Sequence, residues 1–133
     1  MAISKKQASK LLTSKFPSFR EFGEKEIDEF YDNEIKLGDK FSIDINTFAR
    51  FLIKKLRDEN ERESILVEDM FSVIEDFMVN GDSNVSHDTA VNCVESLINL
   101  SLNGSISLDL LKEKFGPECI LFWKSCDEAF RPN

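Results

Sequence analysis

The sequence predicts an all-α fold, a compact single-domain bundle of about six to seven helices. Lys, Glu, Leu and Ile are plentiful, whereas Val, Thr and Tyr are sparse, which favours helix over sheet. Apolar residues recur at helical spacing, and Gly and Pro fall between the periodic segments. A chain of 133 residues with 41% hydrophobic side chains can bury its own core. We expect one domain over 1–133, with a basic helix at 3–15 and a main body at 24–131.

The first two helices are predicted from a capping pattern and from helix-breaking residues. Ser4 and Gln7 fit a capping box for the first helix. Pro17 ends that helix, because the residue before a proline avoids the α region. A second helix is predicted over 24–37, since acidic residues fill its first turn and Gly38 follows its last residue.

The middle of the chain predicts two longer helices. Asp44 is the predicted N-cap of a third helix that runs to Asp58. A fourth helix is predicted over 61–80, with Gly81 as its stop. Its apolar face is so wide that we expect this helix to be central and to touch neighbours on both flanks.

The last third of the chain predicts three more helices. Ser86 or Asp88 caps the fifth, which ends near residue 102. Ser107 caps a short sixth helix, and Pro117 lies in the first turn of the seventh. The short connections favour antiparallel helix pairs, so a HEAT-like stack is a variant of the predicted bundle.

Charge is distributed unevenly along the sequence. The first twenty residues carry five basic and no acidic side chains, whereas the remaining 113 carry twelve basic and twenty-five acidic ones. The acidic residues cluster at 21–34 and at 58–76. An acidic surface attracts a basic partner and repels nucleic acid and anionic membranes. The charge pattern therefore predicts a protein partner, with no nucleic acid and no membrane.

Residues that could support catalysis or bind a metal are few and scattered. His87 is the only histidine, and no nucleophile-elbow motif occurs. Cys93, Cys119 and Cys126 fit buried, reduced thiols. The segment 82–93 resembles a calcium loop, but it lacks the glycine at position six and the glutamate at position twelve. We therefore expect no catalytic residues, no cofactor and no bound metal.

The sequence shows no targeting signal. No apolar run approaches the roughly 20 residues needed to cross a bilayer, and the N-terminal segment is too polar for a signal peptide. A cytoplasmic location is the prediction, and it agrees with reduced cysteines.

Four segments of the chain share a pattern of apolar residues and turns with a known protein family. The segments read Thr47-Phe-Ala-Arg-Phe-Leu-Ile-Lys-Lys-Leu, Met70-Phe-Ser-Val-Ile-Glu-Asp-Phe-Met-Val-Asn-Gly-Asp-Ser-Asn-Val, Val94-Glu-Ser-Leu-Ile-Asn and Phe115-Gly-Pro-Glu-Cys-Ile-Leu-Phe-Trp-Lys. They resemble the small acidic all-helical immunity proteins of bacterial contact-dependent growth inhibition and polymorphic toxin systems. The resemblance extends over about residues 20–131 and includes no catalytic motif.

The resemblance implies binding rather than catalysis. Such proteins hold a cognate toxin domain, commonly an RNase or DNase, so the expected partner is a basic toxin protein bound one to one by a monomer. Contact residues cannot be carried over, and our candidates come from the acidic clusters instead. The predicted partner-binding residues are Glu26, Glu29, Tyr31, Asp58, Glu59, Glu61, Glu63, Glu68, Asp69, Glu75 and Asp76.

Two other functions remain open at this point. A helical adaptor that scaffolds another cytoplasmic protein would show the same composition. A small enzyme that uses Asp or Glu as acid and base would instead require a deep pocket with converging carboxylates.

Overall fold

The structure, a computed structural model, describes residues 2–31 and 34–130, with side chains as far as residue 126. A π-helical segment at Ala90–Val94 joins the helix Ser83–Thr89 to the helix Glu95–Leu102, so these three form one continuous stretch of helical backbone. The described residues thus contain seven helical rods and no strand, which confirms the all-α prediction. The elements are α1 (Lys5–Lys15), α2 (Pro17–Phe30), α3 (Phe41–Arg57), α4 (Ile65–Asn80), α5 (Ser83–Thr89), the π segment (Ala90–Val94), α6 (Glu95–Leu102), α7 (Leu108–Lys114) and α8 (Pro117–Phe130).

The N-terminal segment is fixed at both its side chains and its backbone. The predicted capping box is confirmed: the Ser4 hydroxyl accepts from the Gln7 amide at 3.2 Å, and Gln7 accepts from the Ser4 amide at 2.9 Å. Ile3 forms an isolated bridge with the turn between α4 and α5. Its amide donates to Asn80 and its carbonyl accepts from Asp82, both at 2.8 Å. The start of α1 is therefore anchored to a distant part of the chain.

The prediction for the second helix was wrong at both ends. α2 begins at Pro17 rather than at residue 24, because proline is well tolerated in a first turn, where its missing N–H is not needed. Gly23 lies inside the helix and is buried. The helix ends at Phe30, well before residue 37. Residues 32–33 of the predicted helix lie outside the described residues.

The third helix begins earlier than predicted, and its predicted cap has a different role. α3 starts at Phe41, and Asp44 lies in its first turn with no exposed surface. The Asp44 carboxylate accepts from the Ser9 hydroxyl at 2.7 Å and from the Gly38 amide at 3.1 Å. Gly38 adopts φ +100°, which glycine tolerates best. One buried carboxylate thus joins α1, the loop after α2, and α3.

The predicted starts of later helices differ in accuracy. α4 begins after Ser64, whose hydroxyl caps it, rather than at Glu61. α5 is capped by Asp82, which accepts from the Val85 amide at 2.8 Å, and so begins before the predicted caps at residues 86 and 88. The cap at Ser107 and the first-turn proline of α8 are confirmed. Asp82 is the N-cap because its side chain accepts from an amide of the first turn, that of Val85.

α3, rather than α4, is the central helix. It packs against α1, α2, α4, α5, the π segment and α6. The ring of Phe48 is fully buried, with centroids 5.3 Å from Phe16 and 5.0 Å from Phe19. The predicted neighbours α3 and α4 touch, as do α6 and α7, but the bundle is wrapped around α3. The fourth helix keeps one face free as a result.

The described helices include none that is long and apolar enough to cross a bilayer. The cytoplasmic location stays a prediction.

The buried Asp44 carboxyl should give stability a distinct pH dependence. Burial raises its pKa above the ordinary 3.8, although the bonds from Gly38 and Ser9 oppose this effect. The folded state then binds the proton more tightly than the unfolded state, so this contribution is favourable at low pH and is lost as pH rises through the folded pKa. Between neutrality and pH 3.8, we expect wild type to gain unfolding free energy relative to Asp44→Asn.

Urea denaturation of both proteins at a series of pH values measures this difference. Asp44→Asn removes the titrating group but keeps a side chain of the same shape. The assignment would be contradicted if the unfolding free energy of wild type, minus that of Asp44→Asn, fell as the solution became more acidic.

Candidate functional site

The outward face of α4 is the most strongly acidic helical surface in the described part of the protein. The helix carries four carboxylates and no Lys or Arg. A rotation of about 100° per residue places Glu68 and Glu75 along one edge of this face and Asp69 and Asp76 along the other. Two large apolar side chains share the same face: Ile65 is 75% exposed and Val79 is 56% exposed. We call this set the α4 outer face.

One edge of the α4 outer face borders an open groove of about 450 Å³. Its remaining lining comes from within α4, from the end of α7 and from the turn into α8. Three glutamates and one lysine line the groove, so its own charge is negative. The lining residues are Glu68, Phe71, Ser72, Glu75, Glu113, Lys114 and Gly116.

Lys114 is the only cation among these lining residues, and it is already paired. Its ammonium group lies 2.7 Å from the Glu63 carboxylate, and only 8% of its side chain is exposed. The hydrogen bond that Lys114 donates to Glu63, reinforced by the charges of Glu63, Glu68 and Glu113, raises the pKa of Lys114. Glu63 therefore neutralises the lysine, and the three groove glutamates keep an excess of negative charge.

Glu75 has a structural role that sequence reasoning missed. Its carboxylate accepts from the backbone amides of Glu118 at 2.8 Å and Cys119 at 3.1 Å, so a side chain of α4 caps the first turn of α8. A Cβ atom on Gly116 would lie 2.5 Å from the Glu75 carboxyl carbon. The available signal was the Gly-Pro pair, because a helix preceded by glycine has no side-chain cap of its own.

The predicted residues on α2 form a separate set. Glu26 is half-buried and lies 2.7 Å from the Arg50 guanidinium, which also covers the ring of Phe30 at 4.9 Å. Glu29 and Tyr31 are exposed at the end of the helix. Among the described residues, this set combines one paired carboxylate with an exposed carboxylate and an exposed ring, so it is less acidic than the α4 outer face.

The predicted residues between α3 and α4 are partly engaged by their own loop. Asp58 accepts from the Asn60 amide at 2.9 Å, and Glu61 lies 3.8 Å from Lys55. Glu59 is exposed. From this stretch only Glu63 contacts the groove beside α4, because it forms an ion pair with the lining residue Lys114. The structure therefore brings together Glu63, Glu68 and Glu75, and it leaves the other candidates on the rim or on other elements.

The thiols and the single histidine belong to other surroundings. Cys93 and Cys119 are buried, as predicted, and Cys126 is half-buried. Burial raises the pKa of Cys93 to about 12, and burial beside Glu75 raises that of Cys119. Both thiols are therefore protonated and weakly nucleophilic at neutral pH. His87 is exposed on α5. Among residues with described positions, no group of three His, Cys, Asp or Glu could hold a metal ion.

Fold and surface together define an all-α bundle with an acidic, grooved helix face. The chain belongs to the family described as a domain of unknown function (DUF7674), whose sequence model matches residues 9–131. That match includes most of the basic first helix. Comparisons with curated proteins and with solved structures give no match. The family description names no activity, so the resemblance to immunity proteins stays a prediction.

The capping role of Glu75 can be tested by comparing two glutamates that line the same groove. Glu75→Ala leaves the first amides of α8 without an acceptor, so we expect a loss of about 1–2 kcal/mol in unfolding free energy. Glu68→Ala removes an exposed carboxylate from the same helix and should change stability by less than about 0.5 kcal/mol. Urea denaturation measures both, and equal losses would argue against the cap.

Proposed function

We propose that this protein is an immunity protein that binds and neutralises a basic toxin domain, with the α4 outer face as its contact surface. The observation that carries the proposal is the combination on one helix of four carboxylates, no cations and two strongly exposed apolar side chains. The resemblance to immunity proteins supports the toxin as partner. The proposed mode of action is non-covalent binding, without catalysis.

The α4 outer face has the two components that a specific protein interface needs. Ile65 and Val79 are fourteen residues apart, which corresponds to about 21 Å along the helix axis. Each could enter a pocket of the partner, and buried apolar anchors supply most of the affinity in such interfaces. The carboxylates between these anchors would steer a basic partner and select against acidic ones.

A nuclease domain suits this surface for a simple electrostatic reason. A protein that holds phosphates needs a positive binding surface. The groove beside α4 offers Glu68, Glu75 and Glu113, and an arginine or lysine side chain of the partner could enter it. Glu75 would then serve twice, as the cap of α8 and as part of the groove wall. Nucleic acid itself would be repelled by the same carboxylates.

The adaptor hypothesis uses the same face and differs in its consequence for the cell. An adaptor would bind a basic protein without protecting the cell from it. A viability assay separates the two functions, whereas a binding assay alone cannot. We therefore combine both measurements in one experiment.

The test uses the protein encoded immediately upstream, expressed with or without this chain. We expect that protein to inhibit growth alone, and we expect co-expression to restore growth and to yield a complex. Glu68→Lys, Asp69→Lys and Asp76→Lys together should abolish rescue and slow association by at least about tenfold at low salt. Glu75 is left intact so that α8 keeps its cap.

A matched triple variant on α2 serves as the control. Glu21→Lys, Glu24→Lys and Asp28→Lys change the net charge by the same amount at exposed positions. This control should still rescue growth. If the α2 variant failed to rescue growth while the α4 variant still rescued it, the α4 outer face would be excluded as the contact surface. If this chain bound the upstream protein without restoring growth, the adaptor function would be favoured.

A further inference from the structure

A second groove, of about 510 Å³, carries positive rather than negative charge. It lies between the end of α3, the loop that leads to α4, and the turn between α6 and α7. Two arginines line it together with serines and aliphatic side chains, and no carboxylate takes part. The lining residues are Leu56, Arg57, Arg62, Ser101, Gly104, Ser105, Ile106, Ser107, Leu108 and Leu110.

Neither guanidinium group has an acidic partner among the side chains that the structure describes. The ion pairs among the described side chains include neither Arg57 nor Arg62. Arg62 donates one weak hydrogen bond, at 3.4 Å, to the carbonyl of Arg57. The Nε atom of Arg62 is buried and has no hydrogen-bond partner in the described structure. Buried donors are normally satisfied, so the unpartnered Nε–H of Arg62 beside this groove indicates a missing acceptor.

Nearby carboxylates could have supplied that acceptor, but they are directed elsewhere. Asp58 accepts from the backbone of its own loop, Glu61 faces Lys55, and Glu63 pairs with Lys114. Within the described part of the chain the two arginines are thus uncompensated, although the protein has a net charge of −8. An unpaired cation pair is unusual where carboxylates are in excess.

We propose that this groove binds a carboxylate side chain from an acidic, leucine-rich peptide segment of a partner protein. A guanidinium group pairs with a carboxylate through two parallel hydrogen bonds. The groove also presents aliphatic surface, since Leu56, Ile106, Leu108 and Leu110 line it and Leu108 is 37% exposed. Apolar neighbours of the acidic residue can cover this surface. The segment therefore combines one carboxylate with flanking aliphatic residues.

Electrostatics favours an isolated carboxylate over a polyanion. The loop beside the groove carries Asp58, Glu59, Glu61 and Glu63. Those charges, with the overall charge of −8, would repel a chain of phosphates. A peptide with a single carboxylate meets the two arginines and avoids most of this repulsion. The site does not depend on the proposed immunity function, because the α4 outer face would bind a partner of opposite charge.

The test is an NMR titration of the isotope-labelled full chain with two synthetic peptides. The probes are acetyl-Gly-Leu-Glu-Leu-Gly-amide and the same peptide with Gln in place of Glu. We expect saturable shifts for the Glu peptide at the Arg62 Nε–H signal and at the amides of residues 104–108. The Gln peptide should bind at least about fivefold more weakly, because the charge-assisted pair is absent.

Variants and a third probe make the assignment specific. Arg57→Gln and Arg62→Gln should each weaken binding of the Glu peptide, whereas Arg20→Gln, which removes an exposed arginine paired with Glu24, should not. Equal binding of the two peptides, or no shift with either, would overturn the proposal. The comparison of the Glu peptide with the Gln peptide uses wild-type protein, so it remains valid even if an arginine variant fails to fold. Inorganic phosphate that gives the same shifts at lower concentration would also overturn the peptide assignment.

Discussion

The burial of α3 is the constraint on which the rest of the structure depends. Ten of its seventeen residues are buried, so neighbours must cover it on several sides. Burying a large apolar side chain contributes roughly 1.5–3 kcal/mol relative to leaving it exposed. The rings of Phe16 and Phe19 pack against this helix, and Phe51 is one of its own residues. Each other helix then buries one face, and its opposite face is available for function.

The α4 outer face is a consequence of that arrangement. Its inner residues face α3, α5, α8 and the π segment, and its carboxylates are left outside. One of these carboxylates, that of Glu75, makes a tertiary contact with the backbone of α8. This contact holds α8 beside α4 and forms the groove wall. The second groove, which Arg57 and Arg62 line, also follows from this arrangement, since it lies where α3 ends and the chain turns into α4. Two surfaces of opposite charge thus lie on either side of one loop.

The all-α class, most helix stops and the core cysteines could be predicted from sequence because they depend on local pattern. The side-chain roles that sequence reasoning missed belong to residues whose partners are distant in the chain. Asp44 has the side chain of an N-cap, but its acceptor role toward Ser9 depends on how α1 packs against α3. Glu75 looked like a solvent-exposed acid, and only the fold shows that it lies beside α8. Local spacing carries no information about such contacts.

The measurement that tests the account most directly compares two phenylalanines by urea denaturation. Phe48 has no exposed surface at the centre of the bundle, whereas Phe30 is 61% exposed. We predict that Phe48→Ala lowers the unfolding free energy by about 3–5 kcal/mol. Phe30→Ala should cost less than about 1 kcal/mol, mainly through its contact with Arg50. Similar losses for the two variants, or a larger loss at Phe30, would contradict the central role of α3.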